Sequence, residues 1–266
     1  MNTTKTTVII PIHKMDDSLQ NYFENAIKSI ESQKVRPEEV LIVTTKDVEI
    51  NKSVLENIKH RIVINEGKTD FCSQVNLGVE NVKTEYFSIL EVDDEYSKIW
   101  FSNVIKYLEH YQEVDTFLPI VLDVNTEGRF LHFTNEPVWA KEFSDKLGFL
   151  DNDSLLNFPN FQLSGAVIKK EAFEAVGGLK PSIRLHFVYE FFLRMTYYDK
   201  KIMTIPKLGY KKTNMRPDSL FFNYYNEGSE KIDVIEARFW YNTARKECYF
   251  RADRGIKFDR ATATIV

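Results

Sequence analysis

Tyr86-Phe87-Ser88-Ile89-Leu90 runs straight into Glu91-Val92-Asp93-Asp94, an apolar run followed by three carboxylates in four residues. Such a stretch reads as a buried strand ending in charge, because carboxylates are costly to bury unless a cation or solvent compensates them. Toward the N-terminus, Val8-Ile9-Ile10-Pro11-Ile12, Val40-Leu41-Ile42-Val43 and Arg61 to Ile64 are three more short apolar runs. Pro11 stops the first, since proline cannot donate to a ladder. Segments of helical period separate the runs. Leu19, Tyr22, Phe23, Ala26, Ile27 and Ile30 share one face behind a capping Asp16-Asp17-Ser18. A short helix is expected around Val54, Leu55 and Ile58, and Asp70 caps another with Phe71, Val75, Val79 and Val82 inward. This alternation predicts an α/β fold, a Rossmann-like, mixed but mostly parallel sheet flanked by helices. Right-handed crossovers would put the strand C-termini, and any ligand crevice, on one edge.

Beyond Asp94 the pattern is less regular. A helix is expected near Ile99 to Tyr111, then strands over Thr116 to Val124, Arg129 to Phe133 and Phe161 to Ile168. Trp139, Phe143 and Leu147 suggest a short helix between them. Lys170 to Val176 reads as a helix stopped by Gly177-Gly178, since glycine accepts the left-handed conformation. A helix over Phe187 to Tyr198 and a strand over Ile202 to Ile205 follow. Arg216-Pro217-Asp218 marks a break before an amphipathic segment carrying Ile232, Ile235, Phe239 and Trp240. The expected organisation is one α/β domain over residues 1–213 and a helical C-terminal extension over 214–266.

Composition excludes several classes. The formal net charge of -4 offers no electrostatic reason for a nucleic-acid partner. Two cysteines, Cys72 and Cys248, form neither a disulfide framework nor a metal-ligand spacing, which fits a reducing, cytoplasmic setting. The polar, Thr-rich start reads as no signal peptide, and no apolar run approaches the roughly 20 residues that span a bilayer.

Glu91 and Asp93, two apart in extended chain, project to one side and suit a hard divalent cation such as Mg²⁺ or Mn²⁺, shared with substrate phosphates. A solvated acidic turn accounts for the same residues. Neighbouring segments bear on the choice. Val8-Ile9-Ile10-Pro11-Ile12-His13 resembles the opening strand of family 2 glycosyltransferases, and Ala26 to Gln33 their Ser-(apolar)-x-x-Gln helix. Gln74-Val75-Asn76-Leu77-Gly78 resembles their Ala-Arg-Asn-x-Gly segment, and Tyr86 to Asp94 sits where they carry an Asp-x-Asp metal motif. Ser164-Gly165-Ala166-Val167, Phe173 to Leu179 and Phe191-Phe192-Leu193-Arg194 resemble their later motifs, in the same order.

The resemblance implies a GT-A fold and a nucleoside-diphosphate sugar donor lying across the ends of the first strands, its sugar passing with inversion to an acceptor hydroxyl of unknown identity. It implies donor contacts from Pro11, His13, Thr45, Asn76, Asp93 and Gly165, and a Mn²⁺ or Mg²⁺ ion on Glu91, Asp93 and Asp94. Three departures stand out. The turn after the second strand is Thr44-Thr45-Lys46-Asp47, the first metal-motif Asp is Glu91, and the Glu-Asp pair that supplies the base aligns with Phe187-Val188. Glu190 is the nearest carboxylate, either a catalytic base held by Arg194 or its partner in an i,i+4 surface ion pair.

Other residues keep two readings. His13 lines the donor pocket or is a hydrogen-bonded loop histidine, and Asn76 reaches the donor or caps a neighbouring loop. His186 is a third metal ligand or a surface histidine, and Lys211-Lys212 lies near phosphates or is a solvated strand end. Trp100 and Trp139 stack on a sugar or fill the core. The C-terminal helix would dock on its own domain, on a twin subunit in a homo-oligomer, or, least favoured, on a membrane surface. The expected function is metal-assisted glycosyl transfer; the alternative is a degenerate GT-A module that binds without catalysis, and a nucleotidyltransferase ranks behind both because no Gly-rich phosphate loop follows the first strand.

Overall fold

A computed structural model of the chain describes residues 3–136, 148–157, 160–217, 219–222, 258–259 and 264–265. The expected helix at Trp139, Phe143 and Leu147, and the amphipathic segment from Ile232 with its docking or oligomeric role, lie outside the described residues. The elements run β1 (Thr3–Pro11), α1 (Asp17–Glu31), β2 (Arg36–Thr44), a 3₁₀ turn (Lys52–Leu55), β3 (His60–Ile64), α2 (Phe71–Asn81) and β4 (Tyr86–Ile89). They continue with β5 (Glu95–Tyr96), α3 (Trp100–His110), β6 (Thr116–Val124), β7 (Phe130–Thr134), β8 (Phe149–Leu150) and α4 (Asn152–Asn157). β9 (Val167–Lys169), α5 (Lys170–Ala175), α6 (Phe187–Tyr197) and β10 (Ile202–Thr213) complete the unit.

Among the described residues the main sheet has the order β3-β2-β1-β4-β9-β6-β10-β5, with β7 on β6 and β8 on β10. β1 is parallel to β2 and β4, and β2 to β3. β9 runs antiparallel between β4 and β6, and β10 returns parallel to β6. The sheet is therefore mixed and mostly parallel, flanked by helices on both faces.

Strand period distributes the side chains. Ile9, Leu41, Val43, Phe87 and Ile89 point to a core shared with α2, α5 and α6. Val8, Ile10, Val40 and Ile42 point to a second core with α1 and α3. Burial on both faces explains why these strands read as continuous apolar runs. Asp16 and Asp70 cap α1 and α2, accepting from the backbone N–H of Leu19 and Ser73 at 2.9 Å each.

Two strand expectations need correcting. Of Phe161 to Ile168 only the end is strand; the rest turns at Gly165, whose φ of +72 an L side chain rarely adopts. The strand expected over Ile202 to Ile205 continues to Thr213. Pro206 and Gly209 lie along it, and the register shifts between Ile205 and Leu208 and between Leu208 and Tyr210, so irregularities carry the strand past both. That extension brings the end of β10 alongside the acidic turn.

Gly165 also packs directly against β10. A Cβ there would lie 2.4 Å from the Tyr210 ring, and its carbonyl accepts from Trp100 Nε1 at 2.9 Å. Trp100 is thus core, fully buried, and not a sugar platform. Gly165→Ala is expected to cost about 1–3 kcal/mol, by overpacking and by the left-handed backbone, measured as a fall in urea midpoint at unchanged slope.

Candidate functional site

Three segments meet at the carboxyl edge of the parallel strands. β1 ends at Pro11, Ile12 is tied to the second strand by its N–H on Val43 O at 2.8 Å, and His13 follows. Next to it, Leu90 N–H donates to Ile9 O at 3.0 Å, fixing the start of the turn Glu91-Val92-Asp93-Asp94. The third segment is the end of β10, held there because β5 pairs antiparallel with it, Tyr96 opposite Tyr210 and Glu95 opposite Lys211. Together with the loop over 160–164 and the start of α6 they line a cavity of about 440 Å³. His13, Glu91, Asp93, Lys212 and Arg216 form its polar wall, while Pro11, Phe71, Phe161, Phe187, Val188 and Phe221 line the apolar remainder.

The acidic turn is not a solvated one. The backbone N–H of Glu91 donates to Tyr210 Oη at 3.0 Å, and Ser164 Oγ donates to Glu91 Oε1 at 3.0 Å. Lys212 Nζ lies 3.9 Å from Glu91 Oε1 and donates to Gln162 Oε1 at 2.9 Å. Arg216 Nε donates to Asp93 Oδ2 at 2.8 Å. Asp94 is buried, one carboxylate oxygen accepting from Thr213 N–H at 2.8 Å. Strand period separates the two lysines: Lys212 enters the crevice, whereas Lys211 pairs with Glu95 outside it.

Burial, then Glu91 and Asp93, push the Asp94 carboxyl well above the ordinary carboxylate range, against Lys212 and the Thr213 N–H. Burial pulls the pKa of Lys212 down, but Glu91, Asp94, Asp123 and Asp93 together outweigh it and raise it. Burial, with Lys14 and Arg216 nearby, lowers that of His13 despite Asp93. The imidazole is therefore neutral at physiological pH.

Residues 7–177 match the sequence profile of the family described as Glycosyl transferase family 2, more than half of the chain. The chain belongs to glycosyl transferase family 2. No curated protein matches it in sequence. Among solved structures it is similar to S. aureus TarS 1-349 in complex with UDP-GlcNAc, at 12% identity and a TM-score of 0.65, covering 95% of this chain and 69% of that one. It is also similar to GalNAc-T7 with UDP, GalNAc and Mn2+, at 13% identity and a TM-score of 0.56, covering 90% of this chain and 49% of that one. At these identities the likeness shows the fold, the GT-A type. Family and fold together support a glycosyl transfer role.

Several expected site residues of this family 2 chain sit elsewhere. Both ends of the Asn76 amide are spent on Leu179, Nδ2 donating to its carbonyl at 2.8 Å and Oδ1 accepting from its N–H at 2.9 Å. Asn76 thereby braces the turn after α5, where Gly178 has a φ of +69. Neither Thr45 nor Gly165 lines the cavity, although Ser164 does. His186 lines it at the N-terminal end of α6.

Glu190 is neither a crevice carboxylate nor a surface partner. It is 3% exposed, and Arg194 grips both of its oxygens at 2.9 Å, through Nε and Nη2. Lys180 Nζ adds a contact of 2.8 Å to Oε1. Arg194, fully buried, also donates to the carbonyls of Val176 and Gly178. The i,i+4 spacing was legible, but the burial was not, because the covering Gly177-Gly178 turn comes from another part of the chain.

The acidic turn also does not fit a resident Mn²⁺ or Mg²⁺ as arranged. Asp93 is paired with Arg216, Asp94 is buried with its carboxyl pushed upward and one oxygen held by Thr213 N–H, and Glu91 is engaged by Ser164 and Lys212. Among the described residues no three His, Cys, Asp or Glu side chains converge as a metal-binding group. Among the same residues, no helix is long and apolar enough to cross a membrane. The sequence reading missed Arg216; its only signal was a basic residue beside a proline break.

Glu190→Gln strands the Arg194 cation and is expected to destabilise the fold by about 3–5 kcal/mol, seen in chemical denaturation. Asp94 follows the sign for a carboxyl raised in the folded state: its contribution is full below the unfolded pKa and is lost as pH rises through the folded one. Asp94→Asn should therefore equal the parent in Tm near pH 4 and exceed it increasingly toward pH 8.

Proposed function

We propose that the chain transfers a sugar from a nucleoside-diphosphate sugar to an acceptor hydroxyl, with inversion at the anomeric carbon. The observation that carries this is the charged wall of one crevice at the carboxyl edge of the parallel strands, where Glu91, Asp93, Lys212 and Arg216 face His13. Open α/β sheets bind ligands at this edge. The polar wall suits the diphosphate, and Phe71, Phe161, Phe187 and Phe221 suit the apolar faces of base and sugar rings. The neighbours' UDP and UDP-GlcNAc make a uridine nucleotide the first donor to test.

In the reaction the acceptor oxygen bonds to the anomeric carbon as the bond from that carbon to the diphosphate oxygen breaks. The diphosphate leaves with the electron pair, and the hydroxyl proton passes to a base in the crevice. With Glu190 committed to Arg194, the base we assign is His186. It lines the cavity one position before Phe187-Val188, where the resemblance would put an acidic pair. The neutral His13 belongs to the donor side, at the end of β1.

A second reading, a nucleotide-sugar-binding module without turnover, draws support from the absence of a carboxylate at Phe187-Val188 and the engagement of Glu190. Release of UDP from UDP-sugars, with and without a sugar acceptor, separates the two. The transferase reading expects turnover in the parent, reduced about 10²–10⁴-fold in His186→Gln at unchanged donor affinity. Nucleotide binding with neither transfer nor hydrolysis would favour the module, and full turnover in His186→Gln would remove that residue as the base.

A further inference from the structure

Asp93 and Arg216 stand 123 residues apart in the chain and meet at 2.8 Å, their side chains 10% and 7% exposed. Arg216 engages Asp93 through Nε, and its two terminal nitrogens have no partner among the described residues, although the residue lines the crevice. A guanidinium anchored on one side keeps the fork that binds phosphate oxygens two at a time. Met215, just before it, has a φ of 64, a backbone state rare outside glycine that turns the chain as β10 ends. Lys212 stands on the same wall, with Glu91 at 3.9 Å. A hard divalent ion needs anionic oxygens not already matched by cations. Here Asp93 is matched by a fixed guanidinium, and Glu91 already accepts from Ser164.

We infer that Arg216, oriented by Asp93, and Lys212 are the countercharges of the donor diphosphate, so that nucleoside diphosphate binds this chain without a divalent metal ion. Asp93 is then a positioning residue for Arg216, not a metal ligand. The same two cations would carry the charge that grows on the departing diphosphate, in the electrostatic role that a metal ion otherwise supplies. This inference rests on the donor-site reading above, and its test separates the two.

The experiment is calorimetric titration of the full chain with UDP, with ADP, GDP, CDP and dTDP alongside, in EDTA and in MnCl₂. The parent is expected to bind with the same affinity in both buffers. Arg216→Gln should weaken binding in EDTA by about 10–100-fold, the loss of a charged hydrogen-bonding pair. Mn²⁺ should restore part of that loss, because Asp93 and Glu91 become available as ligands. Arg216→Gln leaves a largely buried carboxylate unpaired, so Asp93→Asn combined with Arg216→Gln serves as the folding-safe variant. It should bind weakly in both buffers, with no rescue by Mn²⁺. Parent binding that requires Mn²⁺, or undiminished binding by either variant in EDTA, overturns the inference and leaves the donor site standing. Folded parent that binds no nucleoside diphosphate in either buffer overturns the donor-site reading and this inference with it.

Discussion

The acidic turn at residues 91–94 needs cations, and the chain satisfies it with the far end of a strand that lies more than a hundred residues later. Three carboxylates at the end of a buried strand would repel one another and resist desolvation if left alone. Lys212 and Arg216 answer two of them, and Asp94 is buried, its carboxyl pushed upward, while Thr213 N–H holds one oxygen. The register of β10 on β5 and β6 is what delivers these groups, so an electrostatic requirement of one turn is met by the pairing of the sheet. The crevice exists because the two segments must face each other.

A second buried ion pair organises the other side of the domain. Arg194 is surrounded by Glu190 and by the carbonyls of Val176 and Gly178, while Asn76 closes the same turn from α2 through Leu179. Helices α2, α5 and α6 are thus tied at one point by polar groups that are costly to leave unpaired. That knot fixes where α6 begins, and so where His186, Phe187 and Val188 meet the cavity. The motif residues Asn76, Gly178 and Arg194 serve the frame of the site here.

Much of the fold was legible from local pattern. Continuous apolar runs at β1, β2 and β4 announced strands buried on both faces, and helical period with Asp16 and Asp70 announced α1 and α2. The second half was harder to read for a physical reason. Irregularities let β10 run through Pro206 and Gly209 to Thr213, well past the strand expected over Ile202 to Ile205, and Gly165 ends a run that looked like strand. Pro11, His13, Glu91 and Asp93 were legible as members of one edge, since parallel topology sends their loops there.

By itself the sequence determined the layered α/β architecture, the edge that carries the crevice, and the carboxylates on it, because each follows from local periodicity and right-handed connection. Only the tertiary structure decided which of those carboxylates are free. Asp93 is paired with Arg216, Asp94 is buried under Thr213, and Glu190 is enclosed with Arg194 beneath a glycine turn. Local pattern says what charge a residue carries; it is silent on desolvation and on distant counter-ions, and those two quantities determine whether a carboxylate binds metal, takes a proton or holds an arginine in place.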